Sequence, residues 1–216
     1  MTYIDAHCHL LKESDYERAK WVGVDQIFVN AAHQTDWAQV QSLKNVLPAI
    51  GIHPWYVHEA TADWAQCMEK MLIDHPTLQV GEIGLDKSKP DFARQKQVFL
   101  TQLKLAQKYN RVASIHSVRA WGEMMPLLRP FKQNTRLLFH AFSGDQIVVG
   151  FLADSASYFS LHTAKKLPLI PPEKLLIESD APDGMRTPAA LPFLYQQLGV
   201  DAKRVCANFE RLMNGR

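Results

Sequence analysis

The sequence predicts an α/β protein, a compact (β/α)8 TIM barrel in a single domain, and three observations support this. Eight short apolar segments alternate along the chain with segments of helical periodicity, which is typical of a parallel sheet whose strands are joined by helices. Eight strand–helix units suggest a closed barrel, and 216 residues lie near the lower length limit of that fold. No linker, low-complexity tract or internal repeat divides the chain, so we expect one domain over residues 1–216.

The strands are predicted from short runs rich in apolar and β-branched residues. Several of these runs, such as VASIH, RLLFH and LLIES, end on a polar side chain at the point where the strand would stop. The predicted strands cover residues 3–7, 25–31, 46–52, 78–86, 112–116, 136–140, 157–161 and 175–179.

The helices are predicted from apolar residues that recur every three or four positions. The longest runs from residue 90 to residue 110 and repeats apolar side chains at Phe92, Phe99 and Leu103. The helix from residue 35 is expected to be capped by Thr35 or Asp36. The predicted helices cover residues 14–21, 35–44, 62–74, 90–110, 121–131, 146–152, 188–198 and 202–213. The seventh unit is thin, because residues 165–172 leave little room for a full helix.

Composition and charge limit the classes of function. Hydrophobic residues make up 47% of the chain and charged residues 21%, which is ordinary for a globular protein. The net charge of +2 argues neither for a coating of basic residues nor against local basic patches. No apolar run approaches the length of a membrane span, and the start MTYIDAHCHL does not read as a signal peptide, so no membrane association is expected. Cys8, Cys67 and Cys206 are an odd number without CxxC spacing, which indicates a reduced, cytoplasmic protein.

One carboxylate stands out in the predicted fourth strand, LQVGEIGLD. Glu82 lies between two glycines in an otherwise apolar segment. An ionised carboxylate is costly to bury unless something positive meets it. This stretch alone leaves two interpretations equally open, namely an ion pair with a buried Arg or Lys, and a metal ligand.

Residues of the types that bind metals stand at the ends of most other predicted strands. They are His7 and His9 after the first, His53 after the third, His116 and His140 ending the fifth and sixth, and Asp180 after the eighth. In a closed barrel these ends form one rim around one mouth, where such barrels carry active sites. A single histidine at a strand end is more often a satisfied core residue, but five or six polar groups in an apolar mouth would lack partners without a cation. We therefore favour a metal site over a structural polar cluster.

Strand alternation assigns the residues of the first predicted strand, and those that directly follow it, to two faces. It places Asp5, His7 and His9 on one face and Cys8 on the other. Cys8 is therefore expected to point into the helix layer and to be inert.

The ligand types indicate the chemistry. Imidazole nitrogen and carboxylate oxygen suit zinc, manganese or other first-row metals, and magnesium where carboxylates and water dominate. The rim residues are enough for two ions, which can share a hydroxide and clamp the oxygens of an in-line displacement. Asp180 is expected beside the site, where it can bind a metal and take the proton of the attacking water.

Six motifs in order resemble those of the TatD family of metal-dependent deoxyribonucleases, in the amidohydrolase superfamily. They are IDAHCHL, GIHPW, GEIGLD, IHS, FHAFSG and LLIESDAP, and the resemblance spans nearly the whole chain. It implies one hydrolase domain over residues 1–216, with DNA as substrate, 3′–5′ exonuclease-like activity and two divalent ions (Mg, Mn or Zn). It implies that Glu82 bridges the ions, that Glu82 and Asp180 are catalytic, and that His53 contacts the substrate phosphate. The implied metal ligands are His7, His9, Glu82, His116, His140 and Asp180.

Three segments depart from the usual family pattern. The arginine that follows the strand-five histidine comes one residue later, as Arg119, and the segment after Asp180 is shortened around Arg186. The loop after GLD is short as well. These changes concern substrate contacts, which we expect from Arg119 and Arg186. Asp86 is expected to brace the site, and Asp5 to brace a metal-binding histidine.

Two other functions stay open on the sequence. A metal-activated hydroxide attacks carbonyl and phosphoryl centres alike, so a hydrolase of a small ester, amide or phosphoester is the main alternative, and short loops at the mouth favour it. A barrel that keeps a metal only for stability or partner binding is the third, and the complete ligand set argues against it.

A few further residues near the mouth have two interpretations. Trp55 is expected to pack between helices and barrel, with stacking on a nucleobase as the alternative. His33 and His162 directly follow the second and seventh strands, so both are candidates to line the mouth. Lys87 and Lys89 could bind phosphate or be solvated surface residues.

Overall fold

The computed structural model of the chain describes residues 1–9, 11–183 and 186–215. Eight parallel strands hydrogen-bond to one another in chain order as a single sheet. The strands are β1 (Tyr3–Cys8), β2 (Val24–Asn30), β3 (Leu47–Ile50), β4 (Gln79–Asp86), β5 (Ala113–Val118), β6 (Leu137–Phe139), β7 (Ser157–Leu161) and β8 (Leu175–Ile177). Helices alternate with them, so the predicted (β/α)8 barrel is confirmed.

Backbone hydrogen bonds just beyond the strand ends join the first and last strands. The Asp180 amide donates to the His7 carbonyl oxygen over 2.9 Å, and the His9 amide donates to the Ala181 carbonyl oxygen over 2.8 Å. These two bonds close the barrel at its C-terminal rim. Closure therefore brings a residue from near the end of the chain beside the histidines of β1.

The buried carboxylate of Asp5 supports this closure. It accepts hydrogen bonds from the Ser179 amide at 2.9 Å and the Ser179 hydroxyl at 2.6 Å. It reaches His7 only at the backbone amide, over 3.3 Å, and not at the imidazole. Burial raises the pKa of Asp5 to about 7, although the bonds from Ser179 favour the ionised form. Asp5 thus fixes the strand that carries His7 rather than the ring itself.

The helices follow the predicted order. They are α1 (Glu13–Trp21), α2 (Trp37–Ser42), α3 (Trp64–Asp74), α4 (Phe92–Lys108), α5 (Trp121–Leu128), α6 (Gln146–Leu152), α7 (Leu191–Leu198) and α8 (Ala202–Asn214). The thin seventh unit is confirmed, because the segment after β7 forms only a 3₁₀ helix, Ala164–Leu169. None of the helices in the described ranges is long and apolar enough to cross a membrane.

Asp36 stands at the predicted N-cap position of α2, but its side chain makes no capping hydrogen bond to that helix. A 3₁₀ turn, Gln34–Asp36, precedes α2, and this earlier start moves the capping position to His33. The His33 ring accepts a hydrogen bond from the Thr35 amide at 3.1 Å, and the Asp36 carboxylate accepts one from the His33 amide at 3.1 Å. His33 Nε2 faces Glu59 Oε2 at 3.1 Å as a hydrogen-bond donor, so both ring nitrogens are engaged away from the mouth.

Helix α4 holds the ends of two strands through two buried glutamines. The Gln102 amide accepts from the Ile52 backbone N–H at 2.7 Å and donates to the Ile52 carbonyl at 3.2 Å. Gln95, one heptad earlier on the same helix face, accepts from the Asp86 N–H at 2.9 Å and donates to its carbonyl at 3.0 Å. Both side chains are fully buried. Together they satisfy backbone groups that the barrel rim leaves without strand partners.

We expect Gln102→Met to destabilise the protein. Methionine keeps the volume but leaves the Ile52 N–H and C=O buried without partners, at a cost of about 1–3 kcal/mol. Urea denaturation of the metal-free protein measures this loss, and Gln97→Met on the exposed face of α4 is the matched control. Equal stability of the two variants would contradict the role given to Gln102.

Candidate metal centre

Strand β4 brings Glu82 to the centre of the barrel mouth. All eight residues of this strand are buried, and Glu82 is 1% exposed. The flanking glycines allow neighbouring strands to approach: a Cβ on Gly81 would lie 2.8 Å from the Ser114 side chain, and one on Gly84 would overlap the backbone of His116. Any larger residue at these two positions would push Glu82 away from the strands that carry the histidines.

Five imidazole rings surround the Glu82 carboxylate. Their nitrogens approach its two oxygens over 2.7–3.5 Å. From Oε1 the distances are 2.7 Å to His140 Nε2, 2.9 Å to His116 Nδ1 and 3.2 Å to His53 Nε2; from Oε2 they are 3.3 Å to His9 Nε2 and 3.5 Å to His7 Nε2. Strand ends far apart in the sequence therefore meet at one carboxylate.

These short distances do not satisfy the carboxylate. Both Glu82 oxygens and His7 Nε2 are buried. Within the described part of the chain, none of these three atoms has a hydrogen-bond partner of acceptable geometry. Burial alone would raise the pKa of Glu82, but His140 and His53 hold it well below its usual range. Burial opposes the charged form of His140, yet Glu82 raises the pKa of His140 to about 10. A proton thus occupies a place that a divalent cation would fit.

Asp180 completes the cluster from the side of β1. Its Oδ1 lies 3.9 Å from His9 Nε2 and 4.0 Å from His7 Nε2. Its Oδ2 accepts a hydrogen bond from Arg186 at 3.0 Å, and Arg186 also pairs with Asp183 at 2.7 Å. Asp180 remains 13% exposed, so it faces both the cluster and the cavity.

In the described residues, four groups of ligand-type side chains each have donor atoms within 4.8 Å of one another. They are His7, His9 and Glu82; His7, His140 and Asp180; His53, Glu82 and His116; and His162, Glu178 and Asp180. The first two share His7 and the first and third share Glu82, so the cluster is continuous. The predicted ligands are therefore brought together, with enough donor atoms for more than one ion.

The remote ring nitrogens reveal which imidazoles can offer a lone pair to a cation. A nitrogen that faces an oxygen acceptor carries the proton of a neutral ring, which leaves the other nitrogen free to coordinate. His9 has this arrangement, because its Nδ1 lies 3.3 Å from the Asn30 carbonyl oxygen. The remote nitrogens of His116 and His140 are buried without a hydrogen-bond partner among the described residues, and their nearest carboxylate oxygens are Asp86 Oδ2, 3.8 Å from His116 Nε2, and Glu178 Oε1, 3.9 Å from His140 Nδ1. His7 Nδ1 lies 2.9 Å from the Ser114 hydroxyl, which can accept in the same way.

His53 has the opposite arrangement. Its Nδ1 accepts a hydrogen bond from the Trp55 backbone N–H at 3.2 Å, so the proton of the neutral ring is on Nε2. Burial lowers the pKa of His53 to about 4, despite the nearby Glu82, so the ring is neutral at pH 7. His53 Nε2 therefore points a proton, and not a lone pair, at the centre.

Asp86, which was expected to brace the site, lies beside the cluster, whereas Arg119, which was expected to contact substrate, lies away from the cavity. Asp86 accepts hydrogen bonds from the Trp55 indole at 2.7 Å and the Ser88 amide at 2.9 Å, and stands behind His116. Burial would raise the pKa of Asp86, but hydrogen bonds to His116, Ser88 and Trp55 lower it. Arg119 is exposed and does not border the cavity of about 450 Å³ that opens over Glu82.

Sequence reasoning missed a second buried carboxylate, Glu178, one residue beyond β8. It is fully buried, accepts from the Ala141 amide at 2.7 Å and from the Ser160 hydroxyl, and lies 3.3 Å from His162 Nδ1. Burial would raise the pKa of Glu178, but His162 and His140 lower it to about 2. The signal was present in LLIES, an acid in an apolar strand like Glu82. Glu178 also explains why His162 stands close to the site.

Known proteins share this sequence and fold. A model of the family described as TatD related DNase matches residues 4–198. An uncharacterized metal-dependent hydrolase, YjjV of Escherichia coli (strain K12), is 29% identical, over 84% of this chain and 80% of that protein. The 3′-5′ ssDNA/RNA exonuclease TatD of Edwardsiella piscicida is 28% identical, over 76% of this chain and 71% of that protein. The crystal structure of YjjV, a TatD homologue from E. coli K12, superposes with a TM-score of 0.88 at 24% identity and covers 98% of each chain, which shows the shared fold. Because the family model spans most of its length, the chain belongs to the TatD-related DNase family.

Proposed function

We propose that residues 1–216 form one metal-dependent hydrolase domain that cleaves phosphodiester bonds of DNA, as a 3′–5′ exonuclease-like DNase that uses two divalent ions (Mg, Mn or Zn). The observation that carries this proposal is the convergence of five imidazoles on the buried Glu82 carboxylate, both of whose oxygens lack a hydrogen-bond partner among the described residues. An exonuclease name among the relatives supports a nucleic acid as substrate. Free thiols at Cys8, Cys67 and Cys206 agree with a reducing cytoplasm.

Glu82 is the bridging ligand in this proposal. Its Oε2 faces His7 and His9, and its Oε1 faces His116 and His140. Asp180 adds a carboxylate oxygen on the side of β1. Two bound ions would supply an activated water and stabilise the negative charge that develops on the phosphate.

The remaining polar groups have distinct tasks. Asp180, partly exposed and held through its Oδ2 by Arg186, accepts the proton of the attacking water at Oδ1. His53 donates a hydrogen bond from its Nε2–H to a non-bridging phosphate oxygen, which a ring with that tautomer can do without being charged. The Asp86 carboxylate, 3.8 Å behind His116 Nε2, favours a proton on that nitrogen over one on Nδ1 by its negative charge.

A hydrolase of a small ester, amide or phosphoester is the second candidate. The cavity over Glu82 measures about 450 Å³, which is the size of a pocket for a small molecule. The same centre would act on carbonyl or phosphoryl substrates. The two candidates differ in the substrate and share the ligands.

Metal loading is the first test. We expect about two ions per chain in wild-type protein that has been stripped, reloaded with Mn²⁺ or Zn²⁺ and gel-filtered, because the donor set serves both sides of Glu82. Glu82→Ala and the isosteric Glu82→Gln should each reduce this number to one or none, measured by inductively coupled plasma mass spectrometry. His58→Ala, which removes an exposed histidine outside the cluster, is the control. Full occupancy without Glu82 would contradict a bridging role.

Nuclease activity is the second test. Wild-type protein loaded with ions should shorten 5′-labelled single-stranded DNA from its 3′ end, seen as a ladder on a denaturing gel. Asp180→Asn should lower kcat by about 10²–10⁴-fold, because it removes the proton acceptor. His58→Ala should leave the ladder unchanged. If loaded wild-type protein leaves DNA intact but cleaves one of a panel of nitrophenyl phosphodiesters, carboxyl esters and cyclic amides, the second candidate replaces the first.

His53 should affect catalysis without affecting metal content. Because its Nε2 carries a proton, His53→Ala should retain the wild-type ion count, whereas His140→Ala should lose ions. The same His53→Ala variant should lower kcat/KM by about 10–100-fold, the value of one hydrogen bond to a charged group. His53→Gln, which keeps a donor N–H, should recover part of this loss. Loss of an ion from His53→Ala would make His53 a metal ligand and the tautomer assignment wrong.

A further inference from the structure

The side chain of one aromatic residue at the cavity, Trp55, has so far appeared only as a hydrogen-bond donor to Asp86. Trp55 belongs to the 3₁₀ turn Pro54–Tyr56 that directly follows His53. It is 44% exposed and borders the cavity that opens over Glu82. Of the large apolar side chains that are exposed in the described residues, Trp55 alone lines that cavity. Its expected packing between helices and barrel therefore accounts for only part of the ring.

The exposed ring is held in a fixed orientation. Its indole N–H donates to Asp86 Oδ2 over 2.7 Å, and Asp86 is itself fixed by the Ser88 amide and hydroxyl at 2.9 and 2.6 Å. The His53 ring stands edge-on to the indole, at 81° with the centroids 5.2 Å apart. A ring that is already immobile loses little conformational entropy when a ligand stacks on it.

A cation accompanies the ring. Lys89, in the loop after β4, places its Nζ over one face of the Trp55 ring, 4.1 Å from the centroid, so a stacked base would use the opposite face. An exposed aromatic face next to a basic side chain is the combination by which proteins bind single-stranded nucleic acids, with the base stacked and the cation near the phosphate. The combination suits any base, because every base offers a π face.

The Trp55 ring also lies close to the place where the phosphodiester bond would be cleaved. The Trp55 backbone bonds to the His53 ring, whose other nitrogen is 3.2 Å from Glu82. A base on the indole would therefore belong to a nucleotide next to the bond that is cleaved. We propose that Trp55 is the stacking platform for that nucleobase and that Lys89 contacts the adjoining phosphate. This subsite rests on the proposed action on nucleic acid.

The stacking role of Trp55 is tested by changing both the tryptophan and the bases of the substrate. Wild-type protein and Trp55→Leu are compared on single-stranded oligonucleotides that carry either normal bases or abasic sugars at the two nucleotides flanking the first scissile bond. Trp55→Leu should lower kcat/KM on the normal strand by roughly 10-fold or more, and should have little effect on the abasic strand. Trp55→Phe, which keeps a ring but loses the N–H bond to Asp86, should retain most of the preference for bases. Trp21→Leu, which removes an exposed tryptophan from the end of α1, is the control.

The outcomes separate the subsite from the proposed function. An equal loss on both strands, or equal losses for Trp55→Leu and Trp55→Phe, would reduce Trp55 to a structural partner of Asp86 and overturn the inference. If wild-type protein cleaves neither strand, the nuclease proposal fails, and the same comparison is made on Kd by fluorescence anisotropy. Base-dependent weakening in Trp55→Leu would then still support the platform, and its absence would reject it.

Discussion

The burial of one ionised carboxylate determines how the mouth of this barrel is built. Glu82 is 1% exposed and keeps its charge, so the protein must surround it with groups that can be positive or can share a cation. Five imidazoles provide that surrounding, and two glycines in β4 allow the neighbouring strands to come close enough. Without the Glu82 carboxylate, the five rings would face one another with no negative charge between them. A buried, ionised Glu82 therefore needs this cluster of imidazoles for the stability of the fold, whatever reaction the site supports.

Barrel closure is the second constraint, since it supplies the members of the centre that are most distant in the chain. The amide of Asp180 bonds to the His7 carbonyl, and Asp5 holds Ser179 from the opposite direction. Opening the rim at β1 and β8 would separate Asp180 from both histidines of β1 while leaving most strand pairs intact. The position of the proposed proton acceptor therefore depends on contacts that lie outside the ligand cluster.

Much of this could be predicted from the sequence, because the periodicity of apolar residues fixes strands and helices, and closure then places every strand end on one rim. His7, His116 and Asp180 converge for that reason alone. The cap at His33 could not be predicted, since it depended on a 3₁₀ turn whose start has no strong residue signal. Glu178 carried the same signal as Glu82 and was overlooked beside the more obvious Asp180. Gln102 gave no signal, because a glutamine on a helix is usually solvated and only the packing of α4 on β4 turns it inward, toward Ile52.

The finest distinction, between ligands and a proton donor, lies in contacts between elements and so cannot be read from spacing. His53 follows β3 and His116 lies in β5, and both rings approach the same oxygen of Glu82. They differ in what stands behind them: a backbone N–H from the Trp55 turn for His53, and the Asp86 carboxylate for His116. Trp55 contributes to both, because its amide sets the tautomer of His53 while its indole holds Asp86. A single 3₁₀ turn thereby makes His53 a hydrogen-bond donor toward the centre, while the turn meets His116 only through the carboxylate that it holds.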